Sequence, residues 1–540
     1  MIKTAEDIIK AYDKAKADKT VVESTWEDLV YYGMPRKRGV NTKYEPGEKP
    51  STDVYDDSPV QSNLIMAAGL SGYMTNASQR WFELRTRDES LMRDNEVRKF
   101  FSHAQETIFL TLANTNFYQQ IHEIYLDLGT FGTACMYEDE DVRDDIRFYA
   151  RQPKEIFIVE DDREEATMVF RYFEMTAYQA YTFFGDAKVG EAICKCVEEQ
   201  KDFTKKFCFI QYVCPRYERD VSRADNINMP IASYWVSMTD KKIVRESGYS
   251  EMPYFCPRFY KNSGEVYGYS PMYTVYPDVV MLNKAVETYI NAAEIALYPP
   301  WIAEHDGIMG TLDVRSRAIN YQRAPLSSGQ QIQPLSTKNN IQVGLDFIER
   351  AEQKVRRAFF VDLFLMLTQQ NNMTATEVIE RTQEKMLILG PVLGRLQNEL
   401  LSPIIVRTFN ILLRRGKLAP IPPELGGKNF DVIYISPLAK AQRAVQAKDM
   451  QTFLTIVGQI SQVAPQIIDK IDTDMVVDKM SFIYSIDPEI INDEESVAKV
   501  RENRAQQAQV QAQLNAASSM AATMKDGSAA GKNIADAQRQ

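Results

Sequence analysis

The sequence predicts a mainly α-helical protein with a smaller α+β region. Apolar residues recur every three or four positions through residues 4–32 and 272–297, as they do along one face of a helix. Between residues 129 and 257, short runs rich in Tyr, Phe, Val and Ile are bounded by turn-forming residues, which is typical of antiparallel strands. Long helical patterns resume after residue 271. Together these patterns indicate long helices around a small sheet.

Residues 1–270 are expected to combine several helices with this sheet. Helices are predicted at residues 4–32, 60–76, 92–118, 119–129, 176–184 and 188–199, with a short strand at 81–84. Strands are predicted at residues 133–137, 146–149, 156–159, 168–173, 207–213 and 233–236.

Two further helices, 272–297 and 346–368, flank a loop-rich segment at 298–343. The first half of the second helix is charged, whereas its second half is apolar nearly all round and therefore needs burial on several sides. We interpret the two helices as an antiparallel pair that passes through a wall. Neighbouring copies in a ring are expected to cover their apolar surface.

A polar stretch at 369–372 precedes a capping box formed by Thr374 and Glu377, which opens a helix predicted to reach Arg415. Prolines inside a helix remove a backbone hydrogen bond, so kinks are expected at Gly390, Pro391 and Pro403. Further helices are predicted at 438–463 and 465–483. Residues 501–540, rich in Ala and Gln, are expected as an exposed helix or a disordered tail.

The composition argues against tight DNA binding and against several enzyme classes. The 540 residues carry a net charge of −11, whereas duplex-binding proteins usually have a basic surplus. The sequence has no phosphate-binding loop, no HExxH zinc motif and no GxSxG nucleophile elbow. It contains three histidines, so histidine-based catalysis has few places to occur. No signal peptide or membrane-spanning run is recognised, so reduced thiols are expected.

Three local clusters allow a functional and a structural interpretation. Cys194 and Cys196 with Cys208 and Cys214 fit no common zinc spacing, and the last two are better explained as buried apolar residues. The acidic run 138–141 with Asp144 and Asp145 could hold a cation, but a solvated turn is favoured. The basic run at 36–38 could touch DNA, but a solvated loop or a subunit contact is favoured.

Four stretches occur in an order and spacing that are specific in combination. They are residues 67–84 (from AAGL to RWFEL), 129–134 (GTFGTA), 267–271 (YGYSP) with the closing YPP at 298–300, and 373–378 (MTATEV) with GP at 390–391 and ELLSP at 399–403. Over residues 5–500 the chain thereby resembles the head-to-tail connector, or portal, proteins of podoviruses similar to the T7 group. Residues 501–540 lie outside this resemblance.

The resemblance implies a portal-protein fold with wing, stem, clip and crown, assembled as a ring. The implied parts are a wing at 1–270, a first stem helix at 271–297, a clip at 298–343, a second stem helix at 344–368, a channel loop at 369–373, a long kinked wing and crown helix with the following strand at 374–437, a crown at 438–500, and a tail at 501–540, either a helical barrel or disordered.

The resemblance also implies roles for individual residues, none of them catalytic, metal-binding or cofactor-binding. The residues expected at the stem and ring interface are Leu282, Val286, Ile290, Phe359, Phe360, Leu363 and Phe364. Those expected to place charge in the channel are Lys284, Glu287, Glu294, Lys338, Glu349 and Arg350. The channel loop would be Gln369, Gln370, Asn371, Asn372 and Met373.

The implied function is mechanical: the chain would form the ring-shaped DNA channel at one capsid vertex for packaging and ejection. The implied partners are further copies of the chain, twelve in a ring, double-stranded DNA bound without sequence specificity, the large terminase subunit, the major capsid and scaffold proteins, and a tail adaptor. The ring would be assembled in the host cytoplasm and carried in the virion. The alternatives are another structural virion protein, such as a head-completion, capsid or tail-tube subunit, a packaging enzyme, or a soluble helical scaffold.

Overall fold

The structure is a computed structural model that describes residues 4–41, 47, 52–88, 91, 94–185, 189–223, 225–304, 311, 313–322, 332–335, 341–366, 388–426, 430–434, 450–460, 466, 472, 475–477, 480, 496–511 and 513. The described residues fall into two units. The first is drawn from Met1–Glu83, Ala104–Pro420 and Val432–Ala441, and the second from Leu84–His103, Ile421–Asp431 and Gln442–Gln540. None of the helices in these ranges combines the length and apolar character that a bilayer crossing requires.

Four helices and one strand open the chain close to their predicted positions. They are α1 (Ala5–Gly33), α2 (Ser58–Met74), β1 (Phe82–Thr86), α3 (Asn95–Asn114) and α4 (Phe117–Phe131). The Thr4 side chain accepts a hydrogen bond from the backbone of Asp7, which satisfies one of the free N–H groups at the start of α1. Gly132 ends α4 in the left-handed conformation, as glycine commonly does after a helix.

The predicted sheet region forms two antiparallel sheets. Its elements are β2 (Cys135–Asp141), β3 (Asp145–Arg151), β4 (Ile156–Glu160), β5 (Ala166–Thr176), α5 (Ala177–Phe184), α6 (Glu191–Glu198), β6 (Lys206–Pro215), β7 (Ile231–Ser237), β8 (Lys242–Tyr249) and β9 (Tyr254–Phe255). The strand orders are β3-β2-β9 and β4-β5-β6-β7-β8. All six predicted strands are present, and β8 and β9 are further strands that the sequence pattern did not indicate.

The five-stranded sheet is covered on both faces. On one face, Ile8 and Tyr12 of α1 pack against Ile210 of β6. On the other, Phe184 of α5 packs against Phe209 of the same strand. Neighbouring residues of a strand point to opposite faces, so consecutive apolar residues in β6 are both buried. This explains why the sequence of β6 is a continuous apolar run.

The remaining elements are mostly helical. They are α7 (Pro271–Leu297), β10 (Trp301–Glu304), β11 (Ile319–Gln322), β12 (Ile332–Pro334), α8 (Ile341–Ala358), α9 (Val361–Met366), α10 (388–396), a π-helical turn (Gln397–Leu401), α11 (Ser402–Arg414) and β13 (Phe430–Tyr434), which pairs with β1. Residues 450–460 and 496–511 are also helical. The fold is therefore mainly α with smaller sheets, as predicted.

Two predictions for this part of the chain are wrong. The helix predicted at 346–368 is interrupted, because Phe360 has a φ of 57°, in the left-handed region that non-glycine residues rarely adopt. The turn separates α8 from α9 and allows Phe359 and Phe364 both to be buried. The segment 298–343 was expected to be loop-rich, but it contains a three-stranded sheet of order β11-β10-β12.

The acidic run on β2 and β3 binds α11 rather than forming a cation site or a purely solvated turn. Arg414 donates to Glu140 at 2.9 Å, and Arg415 donates to Asp145 at 3.0 Å. Thr408 donates to the buried Glu138 at 3.1 Å, and the buried Arg407 lies 4.0 Å from the same carboxylate. Alternate residues of a strand point to the same face, and residues one or two turns apart lie on the same face of a helix. The carboxylates of β2 therefore face the arginines of α11.

Burial, opposed by Arg407 and Thr408, raises the pKa of Glu138 to about 8. A carboxylate removed from water is costly unless it is well paired, and the 4.0 Å separation from Arg407 does not offset that cost.

A second ionic contact holds the π-helical turn. The guanidinium of Arg258 donates to Glu399 at 2.9 Å and also to Glu160, and the backbone N–H of Arg258 donates to Glu399 at 2.9 Å. Pro403 has no N–H to offer the carbonyl of Glu399, so the regular helical bonding cannot continue there. A π-helical turn therefore precedes Pro403, and the kink expected at this proline stays a prediction. Gly390 and Pro391 lie within α10, close to its first described residue.

The other clusters singled out in the sequence also have structural partners. Cys194 and Cys196 pack on the α5 face of the large sheet, whereas Cys214 packs on the α1 face, so these cysteines do not share a site. Cys208 and Cys214 are half-buried, not buried as predicted. In the basic run, Arg36 donates to Glu123 and Lys37 to the buried Asp127, while Arg38 stacks on Tyr31.

These partners within the chain correct the interpretation of the basic run as a solvated loop, whereas the contact with another subunit stays a prediction. Burial is the largest influence on Asp127 and raises its pKa to about 6, although Lys37 acts in the opposite direction.

Two of the family-like stretches meet where α7 begins. A Cβ on Gly132 would lie 2.3 Å from the backbone carbonyl carbon of Tyr269, and a Cβ on Gly268 would lie 2.5 Å from the carbonyl oxygen of Gly132. Thr133 accepts a hydrogen bond from the N–H of Gly268 at 2.8 Å. In α2, a Cβ on Gly69 would meet the ring of Phe364. Glycine is therefore required where these backbones approach each other.

We expect Glu138→Gln to change how stability depends on pH. The pKa of Glu138 is raised on folding, so its stabilising contribution is fully present below about 4.5 and is lost as pH rises through about 8. The amide cannot ionise, so the variant should lose less stability between pH 5 and 8, by on the order of 1–3 kcal/mol. Urea unfolding at several pH values measures this. The control Glu140→Gln, on the same strand but half-exposed, should parallel the wild type; a parallel Glu138→Gln profile would contradict the prediction.

We expect Gly132→Ala to destabilise the first unit by about 1–3 kcal/mol, since the added methyl group meets backbone atoms at a positive φ. Gly185→Ala is the matched control, because Gly185 has a similar φ of 81° but open space around its Cβ. Thermal unfolding followed by circular dichroism should give a clearly larger fall in Tm for Gly132→Ala. Equal shifts would show that conformational strain alone, and not the close approach to Tyr269, sets the requirement for glycine.

Candidate subunit interface

The α7–α8 hairpin, defined as α7 and α8 with the strands between them, starts from a fixed point. Ser270 caps α7 by accepting a hydrogen bond from the N–H of Tyr273 at 2.9 Å, and Pro271 occupies the first helical position, where its missing N–H costs nothing. The helix ends at Leu297, as predicted. Pro277 lies inside the helix and removes one backbone hydrogen bond, a feature that the sequence analysis did not identify.

The two helices of the hairpin run antiparallel. Lys354 donates to Asp278 at 3.0 Å, and Gly344 faces Tyr289, whose Cδ2 would lie 3.4 Å from an added Cβ. These two pairs fix the register, because the residue numbers of each pair add up to nearly the same value. The C-terminal half of α7 therefore lies beside the N-terminal half of α8.

Burial changes along the hairpin. At its inner end, Val279 of α7 and Val355 of α8 are buried in the first unit, together with Phe359. At its outer end, Ile290 is 46% exposed, Leu297 is 75% exposed, and Leu345 and Phe347 are also exposed. The outer end thus presents apolar side chains that the described part of the chain does not cover. Such a patch on a folded surface is a candidate interaction site.

The predicted interface residues divide between these two ends. Leu282, Phe359, Leu363 and Phe364 are buried by the chain itself, so the expectation that only neighbouring copies could cover them is wrong. The reason is that α9 turns away from α8 and its Phe364 packs on Gly69 of α2. Val286 and Phe360 are half-buried, and Ile290 is exposed.

The described residues among those predicted to carry channel charge lie on α7 and α8 and are at least partly accessible to solvent. Lys284, Glu294, Glu349 and Arg350 are exposed, and Glu287 is half-buried. Lys284 donates to Glu287 at 2.8 Å, and this bond raises the pKa of Lys284. Burial, aided by the nearby Asp56, raises the pKa of Glu352 on α8. Which of these side chains line a channel stays a prediction.

The exposed apolar surface continues beyond α7 onto the three-stranded sheet. Trp301 pairs with Ile319 and Pro334, and Ala303 pairs with Tyr321 and Ile332. Directly opposite residues point to the same face, so this face is apolar, and most of its large side chains are exposed. The alternate residue Asn320 donates to the carbonyl of Asp313 at 2.7 Å on the other face.

Several predicted residues lie outside the described residues. They are Lys338, the channel loop Gln369, Gln370, Asn371, Asn372 and Met373, and the helix cap Thr374 and Glu377.

The sequence pattern does not indicate two buried residues that form ionic contacts within the first unit. Arg407 and Arg258 are buried, but the sequence around a single arginine in a helix or after a strand does not indicate which carboxylate it binds. The one available signal was the acidic run on β2, whose alternate carboxylates match the arginines one or two turns apart in α11.

Comparison with known proteins agrees with the resemblance stated above. The family described as bacteriophage head to tail connecting protein matches residues 5–491. The probable portal protein of Bordetella phage BPP-1 is 28% identical over 513 residues, which cover 93% of this chain and 91% of the relative. The portal protein of Salmonella phage epsilon15 is 30% identical over 512 residues, which cover 93% and 92%.

A solved structure, the neck of an empty GTA particle, aligns over 73% of this chain and 86% of its own, at 9% identity and a TM-score of 0.33. The family match extends over nearly the whole chain, and the two curated relatives align with more than nine-tenths of their own lengths. The chain belongs to the bacteriophage head-to-tail connecting protein family.

Proposed function

We propose that the chain is the subunit of a phage portal, a closed ring of twelve copies that forms the DNA channel between head and tail. The family match over residues 5–491 carries this proposal, and two relatives of nearly the same length are named as portal proteins. The exposed outer end of the α7–α8 hairpin supports it, because a repeated apolar surface on a helical pair is what a ring of identical subunits covers.

The proposed parts follow the helical order of the chain. The sheet-containing region would be the wing, α7 and α8 the stem, and the strands β10 to β12 the clip. Since Leu282, Phe359, Leu363 and Phe364 are buried within one subunit, the contact between copies would use the outer residues Ile290, Leu297, Leu345 and Phe347 instead. The inner end of the hairpin would then be rigid before assembly, and only the outer end would depend on a neighbour.

The charge of the chain suits a channel through which DNA slides. A net charge of −11 per copy multiplies in a ring, and an acidic wall repels phosphate and limits sticking. The duplex would pass without sequence-specific contacts. The energy of packaging would come from the ATP-driven terminase at the clip, and a tail adaptor would later bind the same end, while capsid and scaffold proteins would surround the wing in the virion.

We expect the double variant Ile290→Glu with Leu297→Glu to fold but not to form rings. Each glutamate places a charge in the proposed contact between copies, where it costs several kcal/mol for lack of a partner, on the order of 2–5 kcal/mol per subunit. Both wild-type side chains are exposed in the single chain, so the subunit itself should keep its Tm. Mass photometry and negative-stain microscopy would detect rings with a central hole in the wild type.

Val142→Glu is the matched control, since Val142 is 96% exposed at the turn between β2 and β3, remote in sequence from the hairpin. This control should assemble like the wild type. If the hairpin variant still forms rings, the outer end of the hairpin is not the interface; if the wild type stays monomeric at high concentration, the ring proposal itself fails.

A further inference from the structure

Two buried cysteines face each other between β2 and β9. Cys135 and Cys256 have sulfur atoms 3.6 Å apart, and the thiol of Cys256 donates to the sulfur of Cys135. Both side chains are almost completely buried, and neither is part of a disulfide bond. The two positions are 121 residues apart in sequence, so only the fold brings them together.

The strand register puts this pair in a geometry that accepts a disulfide. Met136 lies opposite Phe255 and Tyr137 opposite Tyr254, so Cys135 lies opposite Cys256. Backbone hydrogen bonds from Ala134 to Pro257 and from Glu138 to Pro253 identify the neighbouring pairs as the hydrogen-bonded ones. Cys135 and Cys256 therefore form a non-hydrogen-bonded pair, the type in which opposite side chains are closest, with Cα atoms about 4.5 Å apart. That separation lies within the range that disulfides span.

The position of the pair gives such a bond a consequence. Two residues after Cys256, Arg258 binds Glu399 of the π-helical turn, and three residues after Cys135, Glu138 binds Thr408 of α11. The hydrogen bond with Cys135 and burial raise the pKa of Cys256, and the nearby Glu399 adds to this effect. Cys135 lies in β2, and Cys256 directly follows β9. The segments that carry the two cysteines thus both contact one continuous helical segment, residues 397–414.

We infer that Cys135 and Cys256 are a redox-sensitive pair that a peroxide converts to a disulfide, fastening the two strands that support residues 397–414. One thiolate attacks a peroxide oxygen and breaks the O–O bond, which yields a sulfenic acid and, after protonation, water. The second thiol attacks that sulfur and expels the hydroxyl group as a second water. In total, two thiols and one hydrogen peroxide give one disulfide and two waters.

The hydrogen bond between the two sulfur atoms aligns them for these steps, because the thiol of Cys256 points at the sulfur of Cys135. Both sulfur atoms are buried, so peroxide reaches them when the strand pair opens locally, and the reaction is limited by that opening. Once formed, the bond closes a long loop and opposes the same opening.

The test uses the full chain treated with hydrogen peroxide, then unfolded, alkylated and digested for mass spectrometry. We expect one cross-linked pair of peptides containing Cys135 and Cys256, lighter than the separate peptides by two hydrogens, while the other four of the six cysteines remain alkylated. Cys135→Ser and Cys256→Ser should each abolish the cross-link. The control Cys194→Ser, which removes a half-buried cysteine on α6, should retain it.

A second measurement needs no variant, because reduced and oxidised wild-type protein can be compared directly. We expect hydrogen exchange in residues 402–414 to become at least severalfold slower on oxidation, and dithiothreitol to reverse the change. If both cysteines stay fully alkylated after peroxide, if either pairs with a different cysteine, or if exchange in residues 402–414 is unaltered, the inference is wrong. Since the assay uses single chains as well as rings, failure of the ring proposal leaves this test unaffected.

Discussion

The close approach of Gly132 to residues 268–270 is the constraint on which the rest of the first unit depends. With Gly132 at the end of α4 and Tyr269 just before α7, the missing side chains let two backbones meet where any Cβ would overlap a backbone atom. The contact fixes the point and the direction in which α7 leaves the sheet region. The antiparallel return of α8, and with it the outer end of the hairpin, follows from that direction.

Apolar burial stabilises α11 on the first unit, and charge fixes its position against the small sheet. Arg407 and Arg414 of α11 and the following Arg415 bind carboxylates on the segment after β8, on β2 and on β3, and Arg407 itself is buried. Buried ion pairs contribute little net stability. They do fix the position of the helix, because a shifted helix would leave its buried charges unpaired. The acidic run therefore serves to set the register of α11.

The same supports connect the two proposals for this protein. The proposed contact between copies lies at the outer end of the hairpin, and the buried inner end anchors the hairpin to its own chain. Residues 397–414 rest on β2 and on the segment after β9, and Cys135 and Cys256 join those two supports. A disulfide there would act on the stiffness of the subunit and would add nothing to the contact between copies.

The sequence by itself determined the helix α7 to its last residue, the six strands that were predicted and the family, because these depend on local periodicity, on turn residues and on motif order. Only the tertiary structure decided that Phe359 and Phe364 are covered by their own chain, that α8 breaks at Phe360, and that residues 298–343 contain a sheet. The physical reason is that an apolar stripe indicates that a helix face is buried but does not indicate which element covers it. In the same way, an acidic run shows where the carboxylates are in the sequence but does not indicate that arginines of a distant helix bind them.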